Sequence, residues 1–224
     1  MEKYQNINIL YEDNHLLVVN KPANMPVCLD SSCDIDLLSK LKEYIKIKYN
    51  KPGNVYLGLV HRLDRPVEGI MVFAKTSKAA SRLSNQITNN QFNKTYYAVV
   101  ENTPPKKGHF TDYLYKDGNS NTSYVTTKDK GKKSTLEYTL INKKDNLSLV
   151  KINLLTGRHH QIRVQFSHHN YPLYGDHRYN KKFINDNQEN IALIAKKISF
   201  YHPTTKELLT FEIELPKRYP YNIF

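Results

Sequence analysis

The sequence predicts an α+β fold, and three observations carry that expectation. Strand-like and helix-like runs alternate along the 224 residues without the regular strand–helix–strand beat of a parallel, doubly wound sheet. The two helix candidates in the first half begin at capping residues. The second half reads mostly as strands, with alternation clearest at Val150, Ile152 and Leu154.

Residues 7–10 and 16–20 are expected as two strands joined by the turn-forming Glu12-Asp13-Asn14. A helix over 35–48 would place Leu38, Leu41 and Ile45 on one face, with Asp34 as its N-cap. Ile70-Met71-Val72-Phe73-Ala74 is a strand-like run. Thr76-Ser77 then cap a second helix carrying Ala80, Leu83 and Ile87 at helical spacing. Further strands are expected near 94–101, 135–142, 147–155, 192–201 and 207–215, with a helix ahead of the last two. Between Pro104 and Lys133 lies a polar insertion rich in lysine: Lys106-Lys107, Lys116, Lys128, Lys130 and Lys132-Lys133. It reads either as a mobile basic arm for RNA phosphates or as a solvated hairpin and loop. With no internal repeat and no linker composition, 1–224 is expected as one domain.

Lys and Arg total 33 against 21 Asp and Glu, giving a net charge of +12 and a pI near 9.5. That excess attracts polyanions through their phosphates, whatever their sequence. With 17 Tyr and 8 Phe, flat rings are available to stack on unpaired bases. Cys28 and Cys33 have neither metal nor disulfide-framework spacing and read as reduced thiols. No apolar run approaches the ~18 residues of a membrane span, and no signal-peptide stretch is seen, so a cytoplasmic protein with no membrane partner is expected.

Val60-His61-Arg62-Leu63-Asp64-Arg65-Pro66-Val67-Glu68-Gly69 sets one carboxylate, Asp64, between two arginines and between apolar flanks. Nearby cations favour the ionised carboxylate, which suits a nucleophile or an electrostatic stabiliser better than a proton-carrying acid. A structural Arg–Asp pair at a strand end would give the same string. Other chemistries lack their signatures. Gly131-Lys132-Lys133-Ser134 has Thr126 where a phosphate loop needs its upstream glycine, and no GxGxxG follows a strand. The clustered histidines include no HExxH, so no metal is expected, and the HxE…PCxxC set of a base deaminase is absent. The residues point to a reaction without a cofactor.

The same string resembles the signature of the RluA-type pseudouridine synthases, a core of His-Arg-Leu-Asp followed by a short turn and glycine. Three further blocks resemble that family in the same order: Ile9 to Asp13 with Leu16 to Pro22, Lys94 to Val100, and Thr156 to Val164 followed by Gly175-Asp176 and Tyr179. The resemblance implies a mostly antiparallel central sheet with flanking helices and a cofactor-free conversion of uridine to pseudouridine in structured ribosomal or transfer RNA. It implies that Asp64 is the catalytic carboxylate and that Tyr96 lies against the target ring. Arg163 matches the arginine that pairs with the aspartate, and Arg62 the side chain that enters the space left by the flipped nucleotide. A monomer with RNA as its partner is expected.

This chain departs from the pattern at three places. Val67-Glu68 stands where Thr-Ser is usual, and Glu68 is expected to face outward, to solvent or an arginine. His159 replaces a small hydroxyl residue, and Ile194 stands where histidine is common. The chain starts almost at the first motif, so no small N-terminal RNA-binding module is expected and RNA selection falls to the catalytic domain. Two rival readings are a non-catalytic RNA chaperone on the same scaffold and an RNA glycosidase. The first is opposed by the presence of Asp64, Tyr96 and Arg163, and the second would leave an abasic ribose.

Overall fold

The computed structural model describes residues 2–4, 7–30, 32–186 and 189–224. They form an α+β fold whose chain divides into two compact units, each made of two chain segments: Met1–Asn93 with Ala195–Ile213, and Lys94–Ile194 with Glu214–Phe224.

In the first unit the strands are β1 (Glu2–Tyr4), β2 (Ile7–Glu12), β3 (Leu16–Lys21), β4 (Gly58–Leu59) and β5 (Glu68–Ala74). β11 (Leu193–Tyr201), from Ala195 onward, and β12 (Leu208–Glu212) complete it. Their order is β1-β2-β3-β5-β11, with β4 on β5 and β12 on β11. The β2–β3 turn is closed by Asp13, whose carboxylate accepts from the backbone N–H of His15 and Leu16, each at 2.7 Å. Helices α1 (Leu37–Lys48) and α2 (Ser77–Thr88) belong to the same unit. Thr76 caps α2 as its sequence predicts, accepting from Ala79 N at 3.1 Å. The cap of α1 is Asp36 rather than the expected Asp34: Asp36 accepts from Ser39 N at 2.9 Å, and Asp34 lies two residues too early. Leu16, Val18, Ile70, Val72, Leu83, Phe92, Ile198 and Phe200 pack as the core of this unit. Glu12 pins α1 to the sheet through Tyr44, Lys48, Tyr49 and Lys75, all within 2.7–3.0 Å of its carboxylate. Burial alone would raise the Glu12 pKa, but these four donors pull it down to about 2.

The second unit has strand order β6-β10-β9-β7-β8. These are β6 (Asn93–Glu101), β7 (Lys107–Asp117), β8 (Thr122–Thr126), β9 (Lys132–Lys144) and β10 (Leu147–Leu154), with helix α3 (Gln161–His168) beside them. The insertion expected as a mobile arm or a solvated hairpin is β7, β8 and the start of β9, so the mobile-arm reading is corrected. Its strands were hard to read because only one face is covered: Phe110 and Leu114 are buried, while the residues between them are polar. Phe110 packs on Tyr138 and Phe166 and stacks on His169 at 4.0 Å.

Candidate active site

Asp64 sits in a tight turn of the first unit, closed by Val67 N–H donating to the Asp64 carbonyl at 3.0 Å. Leu63 and Val67 are buried on either side of it, which leaves the Asp64 side chain half-exposed. Gly69 ends the turn at φ +129°, and a Cβ there would stand 2.4 Å from the Ala195 carbonyl oxygen, so only glycine fits. Arg62 is exposed on the same turn. The second flanking arginine is directed elsewhere: Arg65 pairs with Asp34 and donates to Ser32 Oγ at 2.9 Å. Its guanidinium thus faces Asp30 and Asp34.

A cation of this unit that interacts with Asp64 is Lys21, from the Asn20-Lys21-Pro22 block. Its side chain is fully buried, and its ammonium donates to the carbonyls of Pro22 and Met25 at 2.9 Å and of Arg65 at 3.0 Å. Three carbonyls around one nitrogen match the three N–H donors of an ammonium. Burial pushes its pKa down to about 7, against the negative charges of Asp64 and Glu68, which hold it up. Lys21 thus ties down the carbonyl next to Asp64 and supplies positive charge from below. Glu68 is half-buried and within the field of Lys21, where the sequence suggested an outward orientation.

Tyr96 and Arg163 belong to the second unit. Tyr96 is buried on β6, paired with Ile152 of β10. Arg163 is buried in α3 and makes a two-pronged contact with Asp176, Nε to Oδ2 at 2.9 Å and Nη2 to Oδ1 at 2.8 Å. Asp176 Oδ1 also accepts from the backbone N–H of Arg178 and Tyr179, and the Tyr179 ring lies 5.2 Å from the guanidinium carbon. Gly175, at φ +69°, permits the chain to turn there against the Asn190 carbonyl. Asp176 was visible in the Gly175-Asp176 block, but nothing in its spacing to Arg163 announced the fork. Likewise unassigned from sequence was the chain of contacts Ser123, Tyr179, His160. Ser123 N–H donates to the Tyr179 hydroxyl at 2.9 Å, and that hydroxyl lies 2.8 Å from His160 Nδ1. Burial and nearby cations push His160 down to about 2, so its ring is neutral where it meets the Tyr179 hydroxyl. His160 caps α3 in a left-handed conformation, φ 53°. The departing residue His159 stacks on it at 3.7 Å and contacts Ser123 Oγ at 2.9 Å.

Among the described residues no group of three His, Cys, Asp or Glu side chains is arranged to hold a metal ion, and no helix is long and apolar enough to cross a membrane.

A family model described as RNA pseudouridylate synthase matches residues 15–168, a span that includes the Asp64 turn and Arg163. Ribosomal large subunit pseudouridine synthase C of Buchnera aphidicola is 34% identical over 207 residues, covering 89% of this chain and 64% of that protein. Ribosomal large subunit pseudouridine synthase D of Zymomonas mobilis is 33% identical, covering 94% and 70% respectively. The chain thus spans about two thirds of the length of these relatives. The solved structure of human RNA pseudouridylate synthase domain containing 4 matches with a TM-score of 0.78 at 22% identity, over 94% of this chain and 89% of that one, which shows the fold. With its motifs in order along the matched span, this chain belongs to the RNA pseudouridylate synthase family.

Proposed function

We propose that this enzyme isomerises uridine to pseudouridine in structured RNA, ribosomal or transfer, with no cofactor or metal, as one catalytic domain built from both units. Breaking the N1–C1′ bond and forming C5–C1′ leaves the atom count unchanged: N1 gains a proton and C5 loses one. In this reading Asp64 is the carboxylate that acts at the ribose, as nucleophile at C1′ or base at C2′. Arg62 fills the space left by the extruded nucleotide. Tyr96 lies against the uracil, and Arg163 keeps the carboxylate ionised. The observation that supports the reading most is the Asp64 turn, a half-exposed carboxylate on a backbone fixed by Leu63, Val67, Gly69 and Lys21. A carboxylate that served only as a surface ion pair would not need a buried lysine beneath it.

Incubation of the protein with a uridine-containing RNA stem-loop, followed by nucleoside mass spectrometry, tests the proposal. Isomerisation predicts pseudouridine with no change in RNA mass, whereas abasic ribose with free uracil would establish the glycosidase. Binding without any conversion across ribosomal and transfer RNA transcripts would favour the chaperone.

A further inference from the structure

The outer rung of the second unit's sheet carries two tyrosines that no core uses. Tyr115 on β7 and Tyr124 on β8 are direct cross-strand partners, so their side chains stand on one face, and each is 51% exposed. Neither packs against another aromatic ring among the described residues. Tyr113 continues the row, flanked by Thr126 and by Lys133 of β9, and Lys107 and His109 lie farther along the same face of β7. All seven lysines between 104 and 133 are exposed, against three aspartates in that segment. Two of those aspartates are engaged: Asp112 with Gln165 and His169, and Asp117 with Ser120 and the Asn119 N–H. Two acidic residues share the face: Asp117, next along β7 after Tyr115 and held by Ser120 and the Asn119 N–H, and Glu137, two rungs beyond Tyr113 on the other side.

This hairpin is also fixed in place. Asp112 ties β7 to α3, Ser123 ties β8 to His159 and Tyr179, and Arg178 donates to Ser120 O at 3.0 Å and Thr122 Oγ1 at 2.6 Å at the tip. We infer that Tyr115 and Tyr124 form a pre-set stacking platform for unpaired RNA bases, with the surrounding lysines neutralising the adjoining phosphates. Rigid rings beside exposed cations suit single-stranded nucleic acid, because every base offers a flat face and little order is lost on binding. A duplex keeps its bases stacked inside and offers only phosphates. The inference rests on the RNA reading above and adds to it a second contact, away from the Asp64 turn in sequence, that selects unpaired flanking nucleotides.

Fluorescence anisotropy with a labelled 12-nucleotide oligouridylate and a 12-base-pair RNA duplex tests it, comparing the wild-type protein with Tyr115→Thr/Tyr124→Thr and Tyr115→Phe/Tyr124→Phe. Threonine keeps strand propensity but removes the ring. The Thr pair should weaken oligouridylate binding about tenfold or more while leaving duplex binding within about twofold, and the Phe pair should bind as wild type. Equal oligouridylate affinity in the Thr pair overturns the platform. Should trypsin cut the Thr pair faster at Lys116, the hairpin has loosened and the decision passes to the wild-type protein. There, 5-iodouridine RNA should photocrosslink to peptides holding Tyr115 or Tyr124, and crosslinks confined to other peptides overturn the inference. A wild-type protein that converts uridine while the Thr pair is indistinguishable refutes the platform alone. One that neither binds RNA nor converts uridine refutes the functional reading with it.

Discussion

Two buried cations, one in each unit, are stabilised in opposite ways. Lys21 is surrounded by three neutral carbonyls, whereas Arg163 is gripped by both carboxyl oxygens of the buried Asp176. A carbonyl cage satisfies hydrogen bonds without cancelling charge, so the field of Lys21 reaches Asp64 and Glu68. A carboxylate fork cancels much of the charge and fixes direction instead. Lys21 combines tethering of the Asp64 turn with electrostatics, while the Asp176 fork fixes the direction in which Arg163 presents its guanidinium.

The largest effect on stability should come from breaking the fork. Arg163→Gln leaves Asp176 buried without its counter-charge, a loss of about 3–5 kcal/mol, read as a lower urea midpoint at unchanged slope. Arg163→Lys should recover only part of it, because an ammonium cannot make both parallel bonds. Full recovery by lysine would mean that charge alone matters there.

Removing the lysine should cost less stability but more rate. Lys21→Met leaves three carbonyls without their donor, about 2–4 kcal/mol, and loosens the carbonyl next to Asp64. The turnover rate of uridine conversion should then fall while KM holds, since binding surfaces are untouched. Unchanged turnover in a folded Lys21→Met protein would remove Lys21 from the site.

Glu12 supplies the control, a buried ionic network of the same unit that has no part in the proposed chemistry. Its carboxyl is held at about 2 in the folded protein against an ordinary 4.5, so its contribution is complete above pH 4.5 and drains away as pH falls toward 2. Glu12→Gln should cost about 1–3 kcal/mol at neutral pH, flatten the acid limb of the stability curve and leave turnover alone. An equal loss of turnover in Glu12→Gln and Lys21→Met would mean that both act through stability only.

The smallest effect belongs to Glu68, which shares the field of Lys21 with Asp64. Glu68→Ser should change kcat/KM by less than about tenfold, roughly 1.4 kcal/mol, and leave the acidic limb of the pH–rate profile in place. A gain of orders of magnitude with that limb shifted to lower pH would identify Glu68 as a brake on the carboxylate. Val67 is best left unchanged in this experiment, because it is 2% exposed and a threonine hydroxyl would be buried there.

Much of this molecule can be read from residue patterns. Apolar alternation located β2, β3, β5, β6 and β10 to within a residue or two, and Thr76 announced the start of α2. The Asp64 turn was legible because buried Leu63 and Val67 bracket a charged tip. Other features were not, for physical reasons. β7 and β8 present one polar face, so Tyr115 and Tyr124 resembled loop residues until their cross-strand pairing was seen. Asp34 and Asp36 are equally good caps on composition, and the pairing of Asp34 with Arg65 separates them. The Lys21 cage joins positions 21 and 65, and the Arg163 fork joins 163 and 176, through tertiary contacts that local spacing does not encode.

The central claim, that Asp64 carries out the isomerisation, is tested most directly by tritium release from RNA labelled at C5 of uridine. The C5 hydrogen must leave when C5 bonds to the ribose, so the wild-type protein should release tritium in step with pseudouridine formed. Asp64→Asn, which keeps the size and shape of the side chain, should bind the same RNA with unchanged affinity and release none. Release by the Asn variant at a rate near that of the wild type would contradict the account.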